Sequence, residues 1–175
     1  MNFSEKTPIA NLEELRVHLQ FAIGLELATI PVYLTGLYSI VDGENTVASR
    51  VIQSVVVEEM LHMALAANVL NGIGGVPSTA DVPNLGNPIP KFPTDVFFLP
   101  GLGKLDLAGF SKESIQTFIN IEKPEPRCAT LPETGYSSIG TFYEAIKEGI
   151  KQYATPEVFE AAKKDRAGCQ VAPTE

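Results

Sequence analysis

Two long stretches of the chain repeat apolar positions at alternating steps of three and four residues. This spacing keeps side chains on one face of an α-helix that packs against other helices. The first seam reads Leu12, Leu15, Leu19, Ala22, Glu26, Thr29 and Tyr33. The second seam reads Ala48, Ile52, Val55, Glu59, His62, Ala66, Val69 and Ile73. The pattern predicts two long helices, which a short turn at 42–45 joins into an antiparallel hairpin.

Local signals set the ends of these two helices. The first helix is expected to begin near Pro8 or Asn11, because each belongs to an N-terminal capping pattern. Asn45 or Thr46 is expected to cap the second helix, and the glycines and proline that follow it are expected to end it. Pro31 lies inside the first pattern and predicts a kink there.

Three polar side chains interrupt the two apolar seams. Glu26 lies on the first, whereas Glu59 and His62 lie one turn apart on the second, in a Glu-x-x-His sequence. Glu26 and Glu59 are each about 15 residues from the turn, so at roughly 1.5 Å per residue they lie at the same height. Buried without partners, such groups cost several kcal/mol. A metal ion would satisfy all three, and this spacing occurs in carboxylate-bridged di-metal sites of helical bundles.

Other interpretations of these acids and histidines stay open at this point. The same three seam residues also fit a buried Glu–His hydrogen-bonded pair with structural water. Glu122 ends the apolar stripe of a third helix, either as a further ligand or as a helix-end acid in solvent. Glu58 lies one residue off the seam, and His18 lies about 80° round the helix from Glu26, so neither is expected to bind metal. Because the set is rich in carboxylates and lacks thiolates, iron or manganese is expected before zinc.

The remainder of the chain predicts shorter helices and one long connection. The spacing indicates three further helices, at 112–121, 138–153 and 155–164. Residues 78–110 are rich in proline yet carry several aromatic side chains, so an ordered loop that packs over the bundle is expected. Tyr33, Tyr38 and Met63 are expected in the core. The fold class is therefore all-α, a helical domain over 1–167 with a polar tail at 168–175.

Composition narrows the class of protein. Of 175 residues, 45% are hydrophobic and 19% charged, which is typical of one globular domain. The net charge of −8 argues against partners such as nucleic acid or an anionic membrane. Residues 1–10 lack the basic start and apolar run of a signal peptide. Cys128 and Cys169 match no zinc spacing, so free thiols in a reducing cytoplasm are expected, with one disulfide left open.

Several stretches of the sequence resemble one known family. They lie at 21–34, 57–63, 68–77, 118–125 and 138–143. Together they resemble the ferritin-like domain of the iminophenyl-pyruvate dimer synthase family, which includes enzymes that couple oxidised tryptophan units in bisindole pigment and alkaloid synthesis. The resemblance implies a ferritin-like helical bundle and a metal-dependent oxidoreductase. It also implies metal-ligand roles for Glu26, Glu59 and His62, with Glu122 as a further ligand.

The sequence departs from a complete di-metal bundle. Such a bundle needs a second Glu and a second Glu-x-x-His, but this chain has only two histidines, and His18 does not follow a Glu at that spacing. We call Glu26, Glu59 and His62 the half-site. Either two chains pair to complete it, or it holds one metal ion, or the chain is a shortened relative without full activity. We expect a homodimer, because the hairpin carries more apolar surface than the shorter helices can cover. The competing possibility is that helices three to five cover the hairpin within one chain, with Glu122 as the extra ligand.

Two functions follow from this reading. The leading one is a non-haem iron oxidoreductase acting on a small molecule, in which the half-site binds the metal. The alternative is a non-catalytic metal-binding or structural ferritin-like module. A pocket that reaches the metal would favour the enzyme, whereas a dry, closed core would favour the module.

Overall fold

The structure is a computed structural model, and it describes residues 9–80, 90–95, 99, 102–123 and 136–165. Within this part of the chain, five α-helices and one pair of short strands follow one another. They are α1 (Leu12–Tyr38), α2 (Thr46–Gly72), β1 (Thr94–Asp95), β2 (Lys104–Leu105), α3 (Lys112–Ile121), α4 (Ile139–Tyr153) and α5 (Pro156–Asp165). All five predicted helices are present close to their expected bounds, and the all-α class is confirmed.

The two long helices α1 and α2 lie side by side in opposite directions. Arg16, near the start of α1, donates from Nε at 3.0 Å and Nη2 at 2.7 Å to the carbonyl oxygen of Ile73, just beyond α2. Thr29, in the second half of α1, contacts Glu59 in the middle of α2. An early residue of one helix thus meets a late residue of the other, which confirms the antiparallel hairpin.

The core is centred on α1, which is buried along most of its length. Its most apolar window is long and hydrophobic enough to cross a membrane, but 67% of that window is buried inside the fold, as in the core helix of a soluble protein. By contrast, α2 buries only one face. Its buried residues are Ile52, Val56, Glu59, Ala66, Leu70 and Asn71. The opposite side of α2 remains open in the described part of the chain.

The short helix α4 packs closely on α1. Gly149 makes this approach possible, because a Cβ atom there would lie 3.1 Å from a methyl group of Leu15 and 3.2 Å from one of Ile9. Phe142, on the same helix, is fully buried. Ser138 begins α4 with a capping box in which its hydroxyl accepts from the backbone N–H of Thr141. The position of α4 matters because it brings a tyrosine to the candidate site.

Three local expectations turn out differently or stay open. Tyr38 is 79% exposed, so its placement in the core was wrong; it is the last residue of α1. Asn45 occupies the N-cap of α2, but in a left-handed conformation (φ 43°) and without a side-chain capping bond. The helix α1 continues through Pro31, and the kink stays a prediction.

The proline-rich connection after α2 is described only in part. Thr94 pairs with Leu105 and Asp95 with Lys104 in an antiparallel ladder. The side chains of Leu99 and Leu105 are buried against the bundle. This part of the loop packs on the core, while residues 81–89, 96–98 and 100–101 lie outside the described residues, and order throughout the loop stays a prediction. The tail at 168–175 also lies outside them, so the domain boundary stays a prediction.

Candidate metal centre

The structure brings together three of the four predicted ligands. Glu26 lies in the middle of α1 and Glu59 in the middle of α2, with only 3% and 6% of their surface exposed. One ligand atom each from Glu26, Glu59 and His62 lies within 4.8 Å of the other two. The seam positions and the matched heights inferred from the sequence thus lead to one point in space. These three residues could hold a metal ion, and their role as ligands stays a prediction.

Glu59 is hydrogen-bonded to α1 and lies near His62 of its own helix. The hydroxyl of Thr29, on α1, donates to Oε2 of Glu59 over 2.7 Å. The other oxygen, Oε1, lies 3.8 Å from Nδ1 of His62, one turn further along α2. Oγ1 of Thr29 also lies 3.0 Å from the backbone carbonyl oxygen of Glu26, so its single hydrogen is shared between these two acceptors. One hydroxyl therefore connects the two acid-bearing helices at the height of the site.

Glu26 is held by a tyrosine from α4. The hydroxyl of Tyr143 donates to Oε1 of Glu26. Burial, followed by the hydrogen bond with Glu59 and the negative charge of Glu59, raises the pKa of Glu26 to about 9. Without a metal, two adjacent buried carboxyl groups retain a proton at neutral pH. A bound cation would balance the negative charge of both carboxylates, so that neither would need a proton. The donor set therefore fits a metal ion.

His62 does not lie in the core, contrary to the sequence prediction. Its side chain is 49% exposed. The reason is geometric: three residues turn an α-helix by about 300°, so His62 lies about 60° round from Glu59, towards the open side of α2. No described residue covers that side. The imidazole therefore forms the solvent-facing edge of the group, where a ligand position on a metal would be accessible.

Glu122, the fourth predicted ligand, is not part of the three-residue group. It is the exposed C-cap residue of α3, and its Oε1 accepts a hydrogen bond from the hydroxyl of Tyr33 at 2.6 Å. Burial, followed by the hydrogen bond to Glu122, raises the pKa of Tyr33 far above its ordinary value. The charge of Glu122 also contributes to the raised pKa of Glu26. The structure thus places Glu122 near the site but outside the group, with a tyrosine as its partner.

The other titratable residues singled out in the sequence lie where expected. Glu58 is exposed and outside the group. His18 is fully buried, with Nδ1 2.7 Å from the carbonyl oxygen of Glu14 and Nε2 2.7 Å from the hydroxyl of Tyr136. A carbonyl only accepts, so Nδ1 carries the proton and Nε2 accepts from Tyr136. Both nitrogens are engaged, which leaves His18 outside any metal site.

Sequence reasoning missed Tyr143 and Thr29 as parts of the site. Tyr143 lies on α4, for which the sequence analysis predicted only a helix at 138–153. A signal was present, since Tyr143 shares steps of four and three residues with the apolar residues Ile139 and Ile146. Thr29 stood on the first seam, one turn after Glu26, but only the facing carboxylate gives its hydroxyl a role.

An apolar pocket of about 320 Å³ opens beside the group, between α1, α2 and α4. It is lined by Leu19, His62, Leu65, Ala66, Val69, Tyr143, Ile146, Lys147 and Ile150. His62 belongs to the group and Tyr143 bonds to Glu26, so the pocket reaches the candidate metal position.

Known proteins share this fold and sequence. Residues 19–174 match the family described as Ferritin-like. A solved structure of a ferritin-like protein from Caulobacter vibrioides is 38% identical, with a TM-score of 0.64; the match covers 83% of this chain and 53% of that one. The chain therefore spans about half the length of that relative. No curated protein matches it.

Fold and site together define a class of protein. It is an all-α bundle whose longest hairpin holds two buried carboxylates and a histidine that could bind a metal ion. The chain belongs to the ferritin-like family.

Proposed function

We propose that this chain is a non-haem iron oxidoreductase of the ferritin-like family that acts on a small, largely apolar molecule. Glu26, Glu59 and His62 would hold the iron, with manganese as the alternative metal. The observation that carries the proposal is the opening of an apolar pocket directly onto this group, through His62 and Tyr143. A purely structural bundle has no need of such a pocket.

The donor set agrees with this choice of metal. Two carboxylates and one imidazole suit iron or manganese, whereas structural zinc sites more often use thiolates. When bound, iron would supply one-electron chemistry with O₂ as the oxidant. Thr29 fixes the orientation of Glu59, and Tyr143 fixes that of Glu26. Such supporting hydrogen bonds orient metal ligands and adjust their basicity.

The protein's own residues provide a place for a substrate. Six aliphatic side chains line most of the pocket wall, while His62, Tyr143 and Lys147 are its polar members. An apolar molecule would bury its surface there and place its reacting atom beside His62 and Tyr143. Burial and the negative charge of Glu26 raise the pKa of Tyr143 far above its ordinary value. Tyr143 therefore remains a hydrogen-bond donor across the physiological range.

The more specific family is part of the proposal. The stretches at 21–34, 57–63 and 68–77 resemble the ferritin-like domain of iminophenyl-pyruvate dimer synthases, and they contain all three residues of the half-site. This resemblance supports oxidative chemistry. Because the chain spans about half of its solved relative, we assign it no particular substrate from that family. Action in the cytoplasm is part of the proposal because Cys128 and Cys169 match no zinc spacing and are expected to be free thiols; both lie outside the described residues.

A non-catalytic metal-binding or structural module is the second candidate. The observation in its favour is that one chain offers only one Glu-x-x-His and three ligands. Three ligands hold a single ion with open positions, whereas a second chain that brought the same three would restore the full ligand set of a di-metal bundle. The oxidoreductase and the metal-binding module both bind metal and differ in whether a substrate is oxidised, whereas a structural module would need no metal.

Metal binding is the first test. Protein purified without added metal is titrated anaerobically with Fe(II), and bound iron is counted per chain. Stoichiometric binding is expected for the wild type and its loss for Glu59→Ala and His62→Ala. Glu58→Ala is the matched control, since this neighbouring acid is exposed and outside the group. Absence of iron binding by the wild type would overturn the oxidoreductase and the metal-binding module and leave a structural bundle. Bound iron that never consumes O₂ would leave the non-catalytic metal-binding module.

A further inference from the structure

A second line of helical positions runs along α2, about 140° round the helix from the face that packs on α1. Steps of four, three, four, three and four residues keep it on one face. Its members are Val47, Val51, Ser54, Glu58, Leu61 and Leu65. All six are exposed. We call these six residues the outer seam. It has the spacing of a coiled-coil seam, but no described residue packs on it.

The outer seam exposes an unusual amount of apolar surface. The described part of the chain has twelve exposed large apolar side chains, and six of them lie on α2. The four aliphatic residues of the outer seam are exposed by 75%, 57%, 54% and 51% in chain order, and the adjacent Val57 by 60%. These five side chains present roughly 500 Å², towards the upper end for a patch on a monomer and over half of what each partner loses in a standard interface. A partner of matching shape is therefore expected.

The seam itself indicates which partner fits. Along the chain, the outer seam has two apolar residues, then two polar residues, then two apolar residues. The steps between these residues are the same whether α2 is read from its N-terminus or from its C-terminus. Two copies of α2 placed antiparallel about a two-fold axis near residue 56 would pair Val47 with Leu65 and Val51 with Leu61. The polar Ser54 would meet Glu58, so that neither carboxylate faces its own copy. A two-fold interface uses one surface patch twice, and such a patch must be complementary to itself.

We infer that α2 pairs antiparallel with α2 of a second copy of this chain through the outer seam. His62 lies on one flank of the seam, next to Glu58, and Ala48 of the second copy is the flank residue nearest to it in this register. The second copy would therefore cover the exposed side of the imidazole. It would also cover the edge of the pocket at Leu65, because Leu65 belongs to both the pocket and the outer seam.

This register has a consequence for the half-site. The Glu59–His62 segments of the two copies would lie nine residues apart along the paired helices, which is roughly 14 Å at the rise of an α-helix. Each chain then keeps its own group of three ligands, closed on one side by the partner. A dimer that combined the ligands of both copies in one di-metal centre would need the two Glu59–His62 segments at the same height. In that arrangement, the apolar residues of the two outer seams would no longer pair.

The oligomeric state is the first test, measured by light scattering on the eluting protein at micromolar concentration. The wild type is expected to be a dimer, and Val51→Glu and Leu61→Glu are expected to be monomers. Ile119→Glu is the matched control. Ile119 is 56% exposed, like the residues of the outer seam, but it belongs to α3 and not to α2. This variant should remain a dimer. Helical content by circular dichroism confirms that each variant is folded. A monomeric wild type, or dimeric Val51→Glu and Leu61→Glu, would overturn the inference.

Cross-linking tests the register. In a background with Cys128→Ser and Cys169→Ser, the variants Val47→Cys and Leu65→Cys are treated with a short bis-maleimide, separately and as a refolded mixture. A cross-linked dimer is expected only in the mixture. Cross-linking of Val47→Cys with itself would contradict the antiparallel register. Iron stoichiometry of Leu61→Glu, measured in parallel, separates this inference from metal binding: it should equal that of the wild type even though the dimer is lost.

Discussion

The hydroxyl of Thr29 on α1 donates a 2.7 Å hydrogen bond to Glu59 on α2. The same hydroxyl reaches the backbone carbonyl of Glu26 one turn earlier. A small side chain thus orients one candidate ligand from the helix that carries the other. Outer hydrogen bonds of this kind decide how well a metal site is preorganised.

Replacing Thr29 by Val should weaken iron binding without removing any ligand. The carboxylate of Glu59 would lose its donor and its fixed orientation, so we expect affinity to fall about 10- to 100-fold. Anaerobic Fe(II) titration measures the change. Thr35→Val is the matched control, because Thr35 lies on the same helix and donates only to the carbonyl oxygen of Pro31. Equal losses in the two variants would show that helix stability, and not ligand orientation, is responsible.

Metal binding should release a proton at neutral pH. Since the pKa of Glu26 in the metal-free protein is raised to about 9, the carboxyl group is protonated below that value and must ionise to bind a cation. Iron or manganese affinity should therefore increase with pH up to about 9 and level off above it. Calorimetry in buffers of different ionisation enthalpy counts the protons. A proton count near zero at pH 7 would contradict the proton held between the two acids.

Acid should destabilise the protein through His18. Burial lowers the pKa of His18 below its ordinary value, so the unfolded chain takes up a proton that the folded chain refuses. The contribution of His18 to the free energy of unfolding should then be constant above about pH 6.5 and decrease at lower pH, by at most about 1.4 kcal/mol per pH unit. Glu26 acts in the opposite direction, because its raised pKa means that the folded chain binds this proton more tightly than the unfolded chain. Urea unfolding from pH 8 to 5 tests this. In His18→Gln, this part of the slope should disappear; an unchanged slope would assign it to other groups.

Filling the pocket should block small molecules and leave the metal in place. Val69→Phe adds a ring to the pocket wall, two turns along α2 from His62. A neutral naphthylamine dye whose fluorescence reports apolar binding should bind the wild type at least about 10-fold more tightly than the variant. Val41→Phe, at an exposed position in the hairpin turn, is the control. Iron stoichiometry should be unchanged in both, and unaltered dye binding to Val69→Phe would place the dye elsewhere.

The sequence predicted the parts of this molecule that local periodicity controls. Alternating steps of three and four residues located all five helices, and two acids on facing seams located the site. The same periodicity could not predict the exposure of His62, because it gives the face of a helix but not what covers that face. Tyr143 was missed for a related reason. Its bond to Glu26 spans 117 positions of the chain and depends on how α4 packs on α1, at the close approach of Gly149 to Leu15.

Two side chains of α1 form hydrogen bonds to the backbone of the segment that follows α2. Arg16 holds the carbonyl oxygen of Ile73, and the amide of Gln20 bonds to both the backbone N–H and the carbonyl of Ser78. The hairpin that contains all three half-site residues is thus closed at both ends before the proline-rich segment starts. Insertions or deletions beyond residue 80 would change the proline-rich segment and leave the distances between Glu26, Glu59 and His62 unchanged. Relatives with longer or shorter connections at this point can therefore share one unaltered ligand geometry, and this is the place at which an engineer could insert a new domain.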